Sequence, residues 1–151
     1  MTRSRTFAGA AVAAALAGAA LLPTQADAAA GSVHLYRIYY DSPGVDRGSN
    51  ASLNAEWVQI ANTTAKSVSL KGWVLADASN HKYTFGTYAI GAHRILAVHT
   101  GKGKDTSVNR YQNRAAYVWN NDKDTATLKK ANGAKVDTCS YNSTKVDYKA
   151  C

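Results

Sequence analysis

This chain carries little of what most catalytic and metal centres are built from. Its 151 residues include two cysteines, one methionine, two prolines and a single glutamate, Glu56. With only two cysteines and the exported address read below, a zinc site built on thiolates is not expected. The four histidines, His34, His81, His93 and His99, lie on separate segments with no His-x-x-x-His spacing and no flanking Glu, so no zincin-type centre is encoded. No Gly-x-Ser-x-Gly elbow occurs either. Four of the nine aspartates, Asp41, Asp105, Asp122 and Asp124, stand beside Asn, Ser or Lys, where a carboxylate caps backbone N–H groups more readily than it joins a second acid in a cleft. Beyond the N-terminal stretch no 3.6-residue apolar stripe is long enough to pack as a helix. The expectation is a protein that is not an enzyme, with no cofactor and no metal.

What is present begins with an export signal. Arg3 and Arg5 precede an uncharged, Ala-rich run from Thr6 to Ala26, Pro23 breaks it, and Ala26-Asp-Ala28 has the small-x-small form of a signal-peptidase site. Residues 1–28 are therefore read as a signal peptide. Residues 29–151 are read as one domain, with a core over about 33–141 and a C-terminal tail at 142–151. The address is extracellular, in the medium or at the cell envelope. Cleavage after Ala28 leaves 16 Lys and Arg against 9 Asp and Glu, a net charge of +7. Such a charge favours polyanions as partners: a cell-wall polymer, nucleic acid or anionic lipid. Cys139 and Cys151 are an even pair in an oxidising compartment, and a disulfide between them would pin the tail.

The rest is a series of short alternating runs separated by turn residues. Ser32 to Tyr40 is β-branched and aromatic. Glu56 to Ile60 places Val58 and Ile60 on one face and Trp57 and Gln59 on the other. Further runs are Val68–Leu70, Trp73–Leu75, Tyr83–Phe85, Arg94–Val98, Tyr117–Trp119, Thr125–Leu128 and Val136–Tyr141. Asn132-Gly133 between the last two is a hairpin signal. Asp46 to Ser52 reads as polar loop, and Gly101 to Arg114 as a polar, basic connection. The pattern predicts an all-β, antiparallel β-sandwich.

Several blocks occur in a recognisable order. They are Tyr39-Tyr-Asp-Ser-Pro-Gly44, Leu53-Asn-Ala-Glu-Trp-Val-Gln-Ile-Ala-Asn62, Leu70-Lys-Gly-Trp-Val-Leu-Ala-Asp77, Tyr83-Thr-Phe85, Val98-His-Thr-Gly-Lys-Gly103 and Val118-Trp-Asn-Asn-Asp-Lys-Asp-Thr-Ala-Thr-Leu128, followed by Gly133 and Val136-Asp137. Together they resemble the bacterial form of the lamin-tail domain, and the Trp-Asn-Asn-Asp block is the most specific of them. The sequence departs from that pattern at Arg110-Tyr-Gln-Asn-Arg114. The resemblance implies an immunoglobulin-like β-sandwich with a role in binding or attachment.

Read physically, these motif residues are architecture. Gly72 allows a sharp turn that sends the Trp73 indole into the core to close it. Asn120, Asn121, Asp122 and Asp124 cap a turn, and Ala126 and Leu128 point inward. Asp41, Asp46, Asp122 and Asp124 are hard oxygen ligands in loops, but no EF-hand is present and no calcium site is assigned. One segment could take an anion. His99-Thr-Gly-Lys-Gly-Lys104 sets Lys102 and Lys104 among glycines, and with Arg110 and Arg114 would form a basic lip. Tyr111 and Tyr117 would add stacking for single-stranded nucleic acid. The first expectation is thus a secreted, non-catalytic binding or envelope-associated module. The second is a small nucleic-acid-binding or nuclease-accessory protein.

Overall fold

The computed structural model describes residues 31–151, so the signal-peptide expectation lies outside the described residues. Among the described residues eleven strands and one short helix follow one another: β1 (Val33–Tyr39), α1 (Asn50–Ala55), β2 (Trp57–Asn62), β3 (Val68–Ser69), β4 (Val74–Ala76), β5 (Lys82–Thr84), β6 (Ala89–Ile90), β7 (Arg94–His99), β8 (Asn109–Tyr111), β9 (Lys123–Lys129), β10 (Lys135–Asn142) and β11 (Tyr148–Ala150). One sheet has the order β11-β1-β2-β7-β8 and the other β10-β9-β4-β5, with β3 and β6 paired as a small ribbon. This is the immunoglobulin-like sandwich expected.

Period-two patterning sets the inner faces. Val58 and Ile60 of β2, Leu96 and Val98 of β7, and Ala126 and Leu128 of β9 are all fully buried between the sheets. In β1 the inward set is Val33, Leu35 and Ile38, which breaks strict alternation. A bulge between Leu35 and Arg37 accounts for it. The backbone groups freed there find other partners: Leu35 N–H donates to Asp137 Oδ2 at 2.9 Å, and Tyr36 C=O accepts from Cys151 N at 3.0 Å. Each fully buried Leu or Ile contributes roughly 1.5–3 kcal/mol by leaving water.

Four sequence expectations are corrected. The Tyr117–Trp119 run is not a strand: Val118 and Trp119 are buried, but their N–H groups go to a side chain instead of a neighbouring strand. The core tryptophan is Trp119, 1% exposed, whereas Trp73 is only half-buried and packs against the rim of the core. Gly72 does take positive φ, +76°, and its missing Cβ leaves room for Ala131. The stretch read as polar loop holds α1, capped by Ser49, whose side chain accepts from Ser52 N. The basic connection holds β8, which pairs parallel to β7. Thr106 Oγ1 turns the chain by accepting from Val108 and Asn109 N–H, so it re-enters along the edge in the same direction.

The hairpin at Asn132-Gly133 forms as expected, with Gly133 at φ +84° and Lys130 N–H bonded to Ala134 C=O at 2.8 Å. Cys139 and Cys151 are joined. Cys139 lies in β10 of one sheet and Cys151 follows β11 of the other, so the bond staples the two sheets along their neighbouring edges. With a sequence separation of 12, the closed loop stabilises the fold by about 3 kcal/mol in the chain-entropy view. Urea denaturation with and without reductant should show that loss, and Cys139→Ser with Cys151→Ser should reproduce it without reductant. An unchanged midpoint would mean the bridge constrains nothing.

Candidate binding surface at one end of the sandwich

Glu56 precedes β2 and is wholly buried. Its Oε1 accepts from Thr100 Oγ1 at 2.5 Å, Val118 N at 2.9 Å and Trp119 N at 3.2 Å, while its own carbonyl accepts from Thr100 N at 3.1 Å. One side chain thereby ties the start of β2, the end of β7 and the irregular segment leading to β9. Burial raises the carboxyl from 4.5 to about 7, against the lowering effect of those hydrogen bonds. Oε2 and the Trp119 Nε1 are buried without a partner among the described residues, a setting that favours the uncharged acid.

The loops of this end are clamped onto that frame. Asn50 and Asn54, one turn apart on α1, both donate to Lys102 C=O at 2.9 Å, and Asn50 Oδ1 accepts from Lys102 N. Gly101 and Gly103 are demanded by close approach. A Cβ on Gly101 would meet Asn54 Oδ1 at 2.6 Å, and one on Gly103 would overlap the Tyr111 ring. Backbone bonds from Gln112 N to His99 O, Asn113 N to Gly101 O and Arg114 N to Thr100 O then lay residues 110–114 beside 99–104.

The fold therefore brings the segments of the expected basic lip together, but not all its side chains are free. His99 is held by Asn54 O at Nδ1 (2.8 Å) and Asn109 Oδ1 at Nε2 (3.0 Å). Arg110 turns away: its guanidinium lies 4.0 Å from the Tyr88 ring centroid, donates to Thr106 O at 2.6 Å and faces Asp105 at 3.7 Å. Arg114 donates to Lys82 O and Gln112 Oε1. Of the five, only Lys102 and Lys104 are exposed with side chains that make no hydrogen bond or ion pair among the described residues. The two tyrosines proposed for stacking are also engaged. Tyr111 lies between His99, ring centroids 5.0 Å apart, and the Gly103 backbone, and Tyr117 OH bonds Ser52 Oγ at 2.6 Å.

Register across the five-stranded sheet adds a feature that no linear motif announces. Tyr148, Tyr39, Trp57, His99 and Tyr111 are successive cross-strand partners, one from each of the five strands. Tyr39 is near-parallel to Trp57 at 5.4 Å and to Tyr148 at 6.3 Å. Arg37 sits over Tyr148, 5.0 Å from its centroid. The signal for this row is in the sequence as strand-end aromatics, but only register lines them up.

Asp122 and Asp124 cap the turn before β9, as expected, whereas Asp41 and Asp46 accept from side chains. Asp124 accepts from Ala78 N, Thr125 N and Asn120 N, and Asn121 Nδ2 bridges Asp41 and Asp46. Burial, then the charges of Asp147 and Asp46, raise the Asp41 carboxyl. Among the described residues no group of three His, Cys, Asp or Glu is arranged to hold a metal ion. Burial also raises the Tyr141 hydroxyl, which stays protonated and donates to Asn120 O at 2.6 Å.

The family model described as Lamin Tail Domain matches residues 26–143. The chain belongs to the lamin tail domain family. A comparison with curated proteins returns no match. In this lamin tail domain the blocks that carried the resemblance are the ones that build the frame: Glu56 with Trp119, the Asp124 turn, and the glycines of the 99–103 loop. Membership agrees with a binding or structural immunoglobulin-like module.

The Glu56 carboxyl has a measurable consequence. Because its folded value lies above 4.5, its contribution to stability is complete below that pH and is lost as pH rises through about 7. Between pH 5 and pH 8 this removes about 2 to 3 kcal/mol. Chemical denaturation at both pH values should show that difference shrink in Glu56→Gln. An equal pH slope in the two proteins would place the titration elsewhere.

Proposed function

We propose that this lamin tail domain is an exported, non-catalytic module that binds a polyanion through charge. The observation that carries the reading is the surplus of free positive charge. Residues 31–151 hold 16 Lys and Arg against 9 Asp and Glu. Of those cations only Arg110 lies within ion-pair distance of a carboxylate among the described residues. Unpaired surface cations cost the fold self-repulsion and are relieved by an anionic partner. At the Lys102–Lys104 loop the backbone is already ordered by Asn50 and Asn54, so an anion meets a preorganised site.

Charge contact is favoured over base stacking, because Tyr111 and Tyr117 are spent on internal contacts. Catalysis is not part of the proposal: Glu56, the one carboxyl raised to about 7, is fully buried and meets no solute. Among the described residues no helix is long and apolar enough to cross a membrane. Attachment at the envelope is assigned in this proposal to contact with the polyanion.

Two measurements test this reading. Mass spectrometry of the protein from culture medium and cell-wall fractions should find a mature N terminus at Ala29. Titration of that protein with poly(glycerol phosphate), oligo-dT and anionic vesicles over a salt series should give affinities that fall steeply with salt for at least one of them. Lys102→Glu with Lys104→Glu should lower the log–log salt slope by roughly 1.5–2. Salt-independent binding, or none at low salt, would remove the proposal.

A further inference from the structure

A second group of lysines lies at the opposite end of the sandwich. Lys129 closes β9 and Lys135 opens β10, and the two are direct cross-strand partners. Lys130 begins the exposed turn between them, and Gly72 of the preceding β3–β4 turn abuts Ala131 at its tip, bringing exposed Lys71 alongside. None of the four has an acidic partner among the described residues. The carboxylate nearest in sequence, Asp137, is committed to the Leu35 and Thr138 amides.

Like charges facing each other across a ladder destabilise a hairpin, and an opposite charge at either position would relieve this one. A cluster that works against the stability of its own hairpin is the kind of feature retained for binding. Lysine, a compact and mobile point charge, suits a chain of anionic groups better than a single shaped ligand. Residues 129–135 are all exposed, and none of the unpartnered buried polar atoms among the described residues lies there, which suits an extended polymer better than an enclosed small molecule.

The two basic ends are separated along the length of β9. From Lys123, beside the Glu56 end, to Lys129, β9 is an uninterrupted strand of seven residues, about 20 Å long. Charges that far apart are screened from each other at physiological salt, where the Debye length is about 8 Å. We infer that the Lys71/Lys129/Lys130/Lys135 tip is a second site for a linear phosphate-bearing polyanion, so that one molecule bridges two polymer segments. This rests on the polyanion reading above and adds to it a second site and a crosslinking role.

The test uses the mature protein and long-chain polyphosphate as the probe. Calorimetric titration with short polyphosphate should give two sites, and light scattering with the long chain should rise as segments are joined. Lys129→Gln with Lys130→Gln should leave one site and abolish the rise; Lys102→Glu with Lys104→Glu should do the same from the other end. Lys135→Glu creates an opposite-charge pair with Lys129, so it should raise the melting temperature while losing the tip site. Repeating the scattering with poly(glycerol phosphate) and with oligo-dT distinguishes a wall polymer from nucleic acid as the source of the phosphates. Wild-type protein that binds at a single site without joining chains, tip variants that still join them, or a lower melting temperature in Lys135→Glu would each overturn the inference. Absence of any salt-sensitive binding by the wild type would instead overturn the polyanion reading itself, and the tip with it.

Discussion

One buried carboxyl organises the end of the molecule from which its loops project. Oε1 of Glu56 collects a hydroxyl and two backbone amides from segments far apart in sequence. Those amides belong to a stretch that has no strand partner, so without Glu56 they would be buried and unbonded, at roughly 1–3 kcal/mol each. The carboxyl thus substitutes for a missing strand. It lets the chain drop Trp119 into the interior and then leave at the angle that starts β9. Asn62 plays the matching part at the far end of β2. Its side-chain amide donates to the carbonyls of Lys66, Ile90 and Gly91, and its oxygen accepts from Thr64. The central strand is flanked at both ends by a buried polar group that ties neighbouring loops to it.

This explains why the basic loops are ordered although they are loops. The 99–104 segment hangs from Thr100, which Glu56 holds, and from the Asn50 and Asn54 side chains of α1. Lysines on such a scaffold would lose little backbone entropy to the proposed anion. At the other end the scaffold is the β9–β10 ladder itself. In both places the positive charge is mounted on hydrogen-bonded backbone, which separates the two proposed sites from a flexible basic tail.

Much of the fold was legible because two-residue alternation survives wherever a strand has one buried face. Val58 with Ile60, and Ala126 with Leu128, declare their inner face, and Asn132-Gly133 declares its turn. The cysteine pairing was legible from the even count, read with the expectation of export. What escaped has common causes. Tyr117–Trp119 alternates like a strand, and nothing in its own residues reveals that a distant Glu takes its amides. Strands β8 and β11 are short, polar edge strands that exist only because a neighbour supplies the ladder. Trp73 and Trp119 both sit in plausible core runs, and only packing decides which indole is enclosed. At the candidate site, the Gly-rich setting of Lys102 and Lys104 could be read directly from the chain. Arg110 and Arg114 share its neighbourhood but spend their donors on carbonyls and on Tyr88, a loss that linear proximity cannot show. The aromatic row and the Lys129–Lys135 pair needed register.

Whether Glu56 stands in for a strand is tested most directly by amide hydrogen exchange followed by NMR. The Val118 and Trp119 amides should exchange as slowly as those of β2, through global unfolding, although they lie outside every strand. Exchange of these two amides at the pace of the exposed Ala131–Gly133 turn would contradict it.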